Sequence, residues 1–125
     1  MTATVLVIED NPANMKLATL LLERAGYRVL QAGDAAAGIA LAREQQPDLV
    51  LMDIQLPGMD GLQATGLLKA DAATRRIKVI ALTAFAMKGD EQRMILAGCD
   101  GYIAKPIQYK NFLAEVAKWL EQEGE

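Results

Sequence analysis

The sequence predicts one α/β domain in which a doubly wound parallel sheet of five strands is covered by five helices. Short apolar segments rich in β-branched residues alternate five times with longer segments of helical spacing, which is typical of parallel strands joined by helical crossovers. The chain has 125 residues, of which 52% are hydrophobic and 23% charged, so it can bury a substantial core. Residues 1–125 are expected to form a single domain, with 121–125 as a frayed acidic tail.

Five segments have the length and composition of largely buried strands. They are Thr4–Glu9, Arg28–Ala32, Leu49–Met52, Lys78–Leu82 and Gly101–Ile103. The third, LVLM, is apolar enough to be buried on both faces of a sheet. It is followed directly by the carboxylate of Asp53 and then by a turn at Pro57 and Gly58.

Helical spacing and end signals predict the five helices between the strands. In the first, Pro12 suits the opening turn, Leu17, Leu20 and Leu21 recur on one face, and Gly26 provides a stop. The other four are Ala35–Glu44, Leu62–Ala70, Gly89–Ala97 and Tyr109–Gln122.

Composition excludes several kinds of function. The net charge is -3 and the only basic cluster is the pair Arg75-Arg76, so direct binding to nucleic acid is not expected. There is no histidine, which excludes Ser-His-Asp and Cys-His catalytic sites and imidazole metal ligands.

The chain also lacks signals for secretion or membrane insertion. Cys99 is the only cysteine, which rules out an internal disulfide and favours a reducing compartment. The N-terminus does not resemble a signal peptide, and the longest apolar run, from Val79 to Met87, is too short to span a bilayer. A cytoplasmic location is expected.

Polar side chains follow four of the five strands, where the strands end. Parallel strands bring their carboxyl ends to one edge of the sheet, so these residues are expected to converge. They are Glu9 and Asp10 at the end of the first strand, Asp53 at the end of the third, Thr83 at the end of the fourth and Lys105 after the fifth. Taken singly, Asp10 and Asp53 could instead cap the elements that follow them. Thr83 could be an ordinary strand residue and Lys105 a solvated loop charge.

Three carboxylates at one edge would repel one another strongly. At about 5 Å and an effective dielectric constant of about 20, each pair repels by about 3 kcal/mol. One lysine does not offset this repulsion, so the site must raise a pKa, spread its charges or hold a cation. Oxygen ligands without histidine favour Mg²⁺, with Mn²⁺ or Ca²⁺ behind it.

A site of this kind suits phosphoryl transfer. Three carboxylates, one lysine and one divalent cation have a formal charge of zero, and a carboxylate can attack phosphorus in line to become an aspartyl phosphate. Asp53 is the best candidate for the nucleophile, because a buried strand delivers it and the turn at Pro57 and Gly58 leaves it accessible.

Four segments together resemble the receiver domain of bacterial response regulators. They are VLVIEDN, LVLMDIQLPGMDG, VIALTA and GYIAKPI, and the resemblance extends from Thr4 to about Leu120. The segments EDNPANMKL and TAFAMKGDE are similar to those of single-domain members that act in bacterial cell division. The resemblance implies a flavodoxin-like fold with strand order 2-1-3-4-5, and the function of a response regulator in a two-component phosphorelay.

The same resemblance implies roles for the matching residues. Asp53 would accept the phosphoryl group and Lys105 would contact it, with a cis peptide bond between Lys105 and Pro106. Mg²⁺, or Mn²⁺ in its place, would be held by Glu9, Asp10, Asp53 and the backbone carbonyl of Gln55. Many relatives have two aspartates where this chain has Glu9-Asp10, and the longer Glu9 is expected to reach the metal through water.

The resemblance further implies a conformational switch and protein partners. Thr83 would be the switch hydroxyl, Tyr102 the aromatic side chain that turns inward with it, and Ala84 a small residue that leaves the site open. The donor would be a histidine kinase or a histidine phosphotransferase, since this chain has no histidine of its own. The chain would be a phosphoacceptor that promotes only its own phosphorylation and dephosphorylation, and its output would be contact with a downstream protein.

Other interpretations remain open from the sequence. A phosphatase of the haloacid-dehalogenase type also has a strand-end nucleophile and Mg²⁺, but it usually has an aspartate where this chain has Gln55. A flavodoxin-like electron carrier would have a Ser/Thr- and Gly-rich phosphate loop after the first strand, and this chain has none. A docking domain that is never phosphorylated and a receiver cut from a hybrid kinase are the remaining alternatives.

Overall fold

Strands and helices alternate along the chain as predicted. The computed structural model describes residues 2–84 and 88–121. The strands are β1 (Thr4–Ile8), β2 (Arg28–Ala32), β3 (Leu49–Asp53), β4 (Lys78–Thr83) and β5 (Gly101–Ala104). The helices are α1 (Pro12–Arg24), α2 (Ala35–Gln45), α3 (Gly61–Ala70), α4 (Lys88–Ala97) and α5 (Tyr109–Glu121).

All five strands form one parallel sheet in the order β2-β1-β3-β4-β5. The doubly wound fold class and the strand order implied by the resemblance are therefore confirmed. From β1 the chain moves to β2 on one side, and from β3 it moves through β4 to β5 on the other, so the winding reverses between β1 and β3. A crevice opens at such a point, outside the carboxyl ends of the strands.

Helices cover both faces of the sheet because the central strands are apolar on both sides. In β1, Val5 and Val7 point to one face and Leu6 and Ile8 to the other, and all four are buried. On the first face α1 and α5 contribute Ala18, Leu22, Phe112 and Val116. On the second face α2 and α3 contribute Ile39, Ala42, Ala64 and Leu68.

Most element ends differ from the predictions by one residue. β1 ends at Ile8 rather than Glu9, whereas Asp53, Thr83 and Ala104 are the last residues of their strands. β4 and β5 extend further than predicted because hydrogen bonding continues beyond the apolar segment, as in the 2.7 Å bond from the N–H of Lys105 to the carbonyl oxygen of Thr83. α2 gains one residue at its end, and α3 and α4 each gain one at their start.

The apolar stripe predicted for α1 is wrong for Leu17 and Leu20, whereas Leu21 packs partly buried against the core. Ala18 and Leu22 are buried against the sheet, whereas Leu17 and Leu20 are 39% and 45% exposed. The small side chain of Ala18 allows the helix to approach the sheet closely, and the neighbouring leucines then lie at the margins of the contact.

The C-terminal end of the chain also differs from the prediction. Glu121 is the last residue of α5 rather than part of a frayed tail, and residues 122–125 lie outside the described residues. Within the described ranges, no helix has the length and apolar character needed to cross a membrane.

Candidate functional site

Three carboxylates meet in the crevice between the carboxyl ends of β1 and β3. The two strands pair through Ile8 and Met52, which immediately precede Glu9 and Asp53. One oxygen from each of Glu9, Asp10 and Asp53 lies within 4.8 Å of the others. Glu9 and Asp53 are each only 3% exposed, whereas Asp10 is exposed to solvent. Two of the three acidic groups are thus removed from water.

Lys105 reaches across from the end of β5 to the two buried carboxylates. Its Nζ donates to Glu9 Oε1 at 2.9 Å and lies 3.3 Å from Asp53 Oδ1. The Lys105 side chain is 17% exposed, so the interpretation of a solvated loop charge is wrong. The peptide bond between Lys105 and Pro106 is cis.

Backbone N–H groups hold the carboxylates in position. The N–H of Gln55 donates to Asp53 Oδ1 at 3.0 Å, and the N–H of Asn11 donates to Glu9 Oε2 at 3.2 Å. Asn11 is itself the N-cap of α1, because its side chain accepts bonds from two N–H groups in the first turn. Asp10 is therefore not the helix cap, and it contributes its carboxylate to the crevice.

Burial and mutual interaction shift the pKa values of the buried groups. Burial, together with the hydrogen bond to Glu9 and the negative charge of Glu9, raises the pKa of Asp53 to about 7. Burial alone would also raise the pKa of Glu9, but hydrogen bonds from Asp53 and Lys105 outweigh it and lower that pKa. Burial alone would lower the pKa of Lys105, but its bond with Glu9 and the charge of Asp53 raise it. Below about pH 7, Glu9 and Asp53 therefore share one proton beside a charged lysine.

The set of donors fits a hard divalent cation. Ligands on opposite sides of a Mg²⁺ ion are about 4 Å apart, so carboxylate oxygens within 4.8 Å of one another need only small movements to coordinate it. Glu9, Asp10 and Asp53 are the residues that would hold the ion. A cation in this position would also favour the ionised form of Asp53.

The residues expected to act as a switch lie next to this cluster. The register between β3 and β4 brings Thr83 within one residue of Asp53, and Thr83 is buried. Ala84 follows it and is exposed. Tyr102 pairs with Ala81 in the ladder between β4 and β5 and is half-buried. Thr83 also lines a cavity of about 290 Å³ that extends to Asp90, Arg93 and Met94 of α4.

Gly61 packs against the backbone that carries Asp53, a contact that the sequence analysis missed. A Cβ atom at this position would overlap the backbone carbonyl oxygen of Asp53 and lie 2.8 Å from Ile54 Cα. The Gly61 N–H donates to the carbonyl oxygen of Ile54 at 2.9 Å, which draws the start of α3 against the end of β3. The only sequence signal for this close contact was the recurrence of glycine at 58 and 61 in the segment LVLMDIQLPGMDG.

Gly61→Ala is expected to destabilise the fold by about 1–3 kcal/mol, because the new methyl group must displace the backbone that carries Asp53. Gly66→Ala, in the same helix, is the matched control. A Cβ at Gly66 meets nothing within 4 Å, so helix propensity should stabilise that variant by about 0.5–1 kcal/mol. Urea unfolding of both variants measures the difference, and equal stabilities would contradict the close approach at Gly61.

A comparison with known families agrees with this site. The model described as the response regulator receiver domain matches residues 5–117. The chain belongs to this family. Receiver domains act as phosphoacceptors in two-component signalling, and they bind Mg²⁺ at an acidic pocket. The match favours the receiver interpretation over the phosphatase and electron-carrier alternatives.

Curated relatives of this receiver domain are single-domain regulators. The chain is 48% identical over 120 residues to the polar-differentiation response regulator DivK of Brucella ovis, and the alignment covers 96% of this chain and 98% of the relative. The protein of the same name from Brucella anthropi is also 48% identical over 120 residues, with the same coverage of both chains.

Solved structures of receiver domains have the same fold. The receiver domain of a sensor histidine kinase from Pseudomonas aeruginosa has a TM-score of 0.90 and 34% identity, with 98% of this chain and 100% of that chain covered. Its crystal structure has a magnesium ion coordinated in the active-site cleft. A response regulator from Chloroflexus aurantiacus has a TM-score of 0.93, with 98% of this chain and 100% of that chain covered. Its sequence is only 24% identical, so this similarity supports the fold alone.

Proposed function

We propose that this receiver domain accepts a phosphoryl group on Asp53 from a phosphohistidine of a partner protein. The observation that carries the proposal is the convergence of Asp53 with two other carboxylates, within 4.8 Å, and with the ammonium group of Lys105 at 3.3 Å. A single carboxylate in this crevice would not by itself indicate a function. A nucleophile that has a cation beside it and a cation-binding cluster around it is suited to phosphoryl transfer.

The residues of the chain have distinct roles in the proposed reaction. An oxygen of ionised Asp53 attacks phosphorus and forms a new O–P bond, while the N–P bond of the phosphohistidine breaks and its electron pair returns to the imidazole. Lys105 donates to an oxygen of the phosphoryl group and stabilises its negative charge. Mg²⁺, held by Glu9, Asp10, Asp53 and the backbone carbonyl of Gln55, supplies further positive charge when bound.

Phosphorylation would then shift the conformation of the loop after β4. The acyl phosphate has a charge of about -2 and additional acceptor oxygens. A hydrogen bond from the Thr83 hydroxyl to one of these oxygens contributes about 1.5–3 kcal/mol. Changing the ratio of two conformations of the loop from 1:99 to 99:1 needs about 5.5 kcal/mol. The shift is therefore partial and partner binding completes it. Tyr102 turns inward with Thr83, and the small side chain of Ala84 leaves the phosphoryl group accessible.

The output of this switch is protein contact on the face formed by α4, β5 and α5. The phosphoryl donor is a histidine kinase or a histidine phosphotransferase in the cytoplasm, a reducing compartment that suits the free Cys99. The similarity to polar-differentiation regulators supports a role in bacterial cell division and polarity. The similarity to a receiver domain of a sensor histidine kinase supports a second candidate, a receiver that is part of a hybrid kinase.

The direct test is intact-mass analysis after incubation with acetyl phosphate. In the presence of Mg²⁺ we expect a gain of about 80 Da, the mass of one phosphoryl group, which is lost on treatment with hydroxylamine or alkali because the product is an acyl phosphate. In excess EDTA the gain should disappear, because the crowded carboxylates then lack the cation that neutralises them. Labelling that persists in EDTA would contradict the metal role, and the absence of labelling under both conditions would contradict the proposed function.

A further inference from the structure

The outer edge of β5 forms one wall of a groove of about 340 Å³. All four residues of Gly101–Ala104 line this wall, and α5 forms the other wall. The residues contributed by α5 are Asn111, Glu115 and Trp119, which are spaced by four and so lie in a row along the helix. A four-residue strand is about 13 Å long and eight residues of helix rise about 12 Å, so the two walls match in length.

This edge of β5 has backbone groups available for pairing. β5 pairs with β4, and no other described strand pairs with its outer edge. The N–H of Lys105 donates to the carbonyl oxygen of Thr83, which pairs with Ala104, so the alternate residues Gly101 and Ile103 bond to β4. The N–H and C=O groups of Tyr102 and Ala104 therefore point away from β4. Edge strands are commonly protected by lysine or proline, and the sequence GYIA has neither.

The other edge strand, β2, is less suited to pairing. Arg28 and Gln31 are exposed on it, and the Gln31 side chain donates to the Thr19 hydroxyl of α1 at 2.8 Å. A charged side chain and a side-chain bond to a covering helix both obstruct the approach of another strand.

Charges divide the groove into two parts. Glu115 lies at its middle, between Asn111 and Trp119, and its Oε2 is 4.0 Å from Nζ of the exposed Lys118, a weak surface pair that a basic side chain of an occupant can replace. At the end formed by Trp119, the ammonium groups of Lys118 and Lys78 lie 5.6 Å and 6.0 Å from the centre of the indole ring. A complementary occupant therefore has a basic side chain opposite Glu115 and an acidic side chain near Trp119.

We propose that an extended segment of a partner protein adds to the edge of β5 as a sixth strand, with a lysine or arginine opposite Glu115. The inference rests on the proposed function, because Tyr102 lines the same groove and would change its position when Asp53 is phosphorylated. Hydrogen bonds between the backbone of the added segment and the edge of β5 supply the affinity. The charged side chains along α5 select the amino-acid sequence of that segment.

The test is an NMR titration of the ¹⁵N-labelled protein with short probe peptides. Two acetylated pentapeptide amides, Glu-Val-Lys-Val-Thr and its reverse, cover parallel and antiparallel addition. At millimolar concentration, the better binder should shift the amide signals of Tyr102 and Ala104 and the indole N–H signal of Trp119. The same peptide with N-methylated backbone nitrogens should bind about tenfold more weakly or not at all, because it cannot donate to the strand edge. Equal binding of the methylated peptide, or shifts confined to α4, would overturn the proposal.

A charge-reversal variant tests the specificity of the groove. Glu115→Lys should weaken binding of the basic peptide about three- to tenfold and strengthen binding of a peptide with glutamate at the centre. Glu23→Lys, on α1 and outside the groove, is the matched control and should change neither affinity. Unchanged binding to Glu115→Lys would overturn the predicted selection.

Phosphate uptake and oligomeric state are measured on the same samples. Failure of peptide binding in a protein that gains about 80 Da would reject the sixth strand and leave the proposed function intact. Peptide binding without phosphate uptake would instead reject the proposed function. A doubled mass in sedimentation that the probe peptide reverses would show that a second copy competes for the edge of β5, and would also overturn the proposal.

Discussion

Asp53→Asn is expected to abolish phosphate uptake and, in metal-free solution above pH 7, to increase the free energy of unfolding. An amide oxygen is too poor a nucleophile to replace the carboxylate, so no mass gain should appear with acetyl phosphate and Mg²⁺. The gain in stability follows from the buried position of Asp53, because an ionised carboxylate beside Glu9 is unfavourable there and an amide is neutral.

The sign of the pH dependence follows from the raised pKa of Asp53. Its usual value is 3.8 and its value in the folded protein is about 7, so between these values the folded state holds a proton that the unfolded state has released. The free energy of unfolding of the natural protein therefore falls as pH rises from about 4 to about 7. Each pKa unit corresponds to about 1.4 kcal/mol, and the full effect is on the order of 2–4 kcal/mol because Glu9 shares the titration.

Urea unfolding in EDTA at pH 5 and pH 8 measures this effect. The two proteins should differ little at pH 5, and Asp53→Asn should be the more stable at pH 8. With Mg²⁺ the order should reverse at pH 8, because the ion binds the ionised carboxylate of the natural protein. A difference in stability that is the same at both pH values would contradict the raised pKa of Asp53.

The convergence of the site residues could be predicted because parallel strands bring their carboxyl ends to one edge. Glu9, Asp10, Asp53 and Lys105 each follow an apolar strand, and this position in the sequence is sufficient to bring them near one another. Their distances could not be predicted. The 2.9 Å bond between Lys105 and Glu9 depends on the path of the chain after β5, and sequence spacing contains no information about that path.

The packing contacts between elements could not be predicted from the sequence either. Helical periodicity indicated that α1 is amphipathic, but the choice of Ala18 and Leu22 as its buried residues depends on how closely the helix approaches the sheet. The need for glycine at 61 depends on the carbonyl oxygen of Asp53, a backbone atom from another element. Both features arise from contacts between elements, whereas patterns in sequence mainly report the periodicity within one element.

Lys105→Met is expected to slow phosphate uptake about 100-fold or more while leaving the fold intact. Methionine has a similar length and fills the same space, so packing is largely kept. The loss of the ammonium group removes a hydrogen-bond donor to the phosphoryl oxygens, and the removal of one such donor typically reduces rates by about 10²–10³. It also leaves Glu9 and Asp53 without the lysine that pairs with both of them.

The loss of the positive charge of Lys105 should also change the pH dependence of phosphate uptake. Without Lys105 the pKa of Asp53 should rise further, because the nearby positive charge that now opposes burial is gone. The pH at which the uptake rate is half-maximal should therefore move upward in Lys105→Met, as measured by intact mass against time across a series of pH values. Lys16→Met, an exposed lysine on α1, is the control and should keep both the rate and the pH profile. A reduced rate with an unchanged profile would mean that Lys105 acts on the phosphoryl group alone, and that another group sets the charge state of the nucleophile.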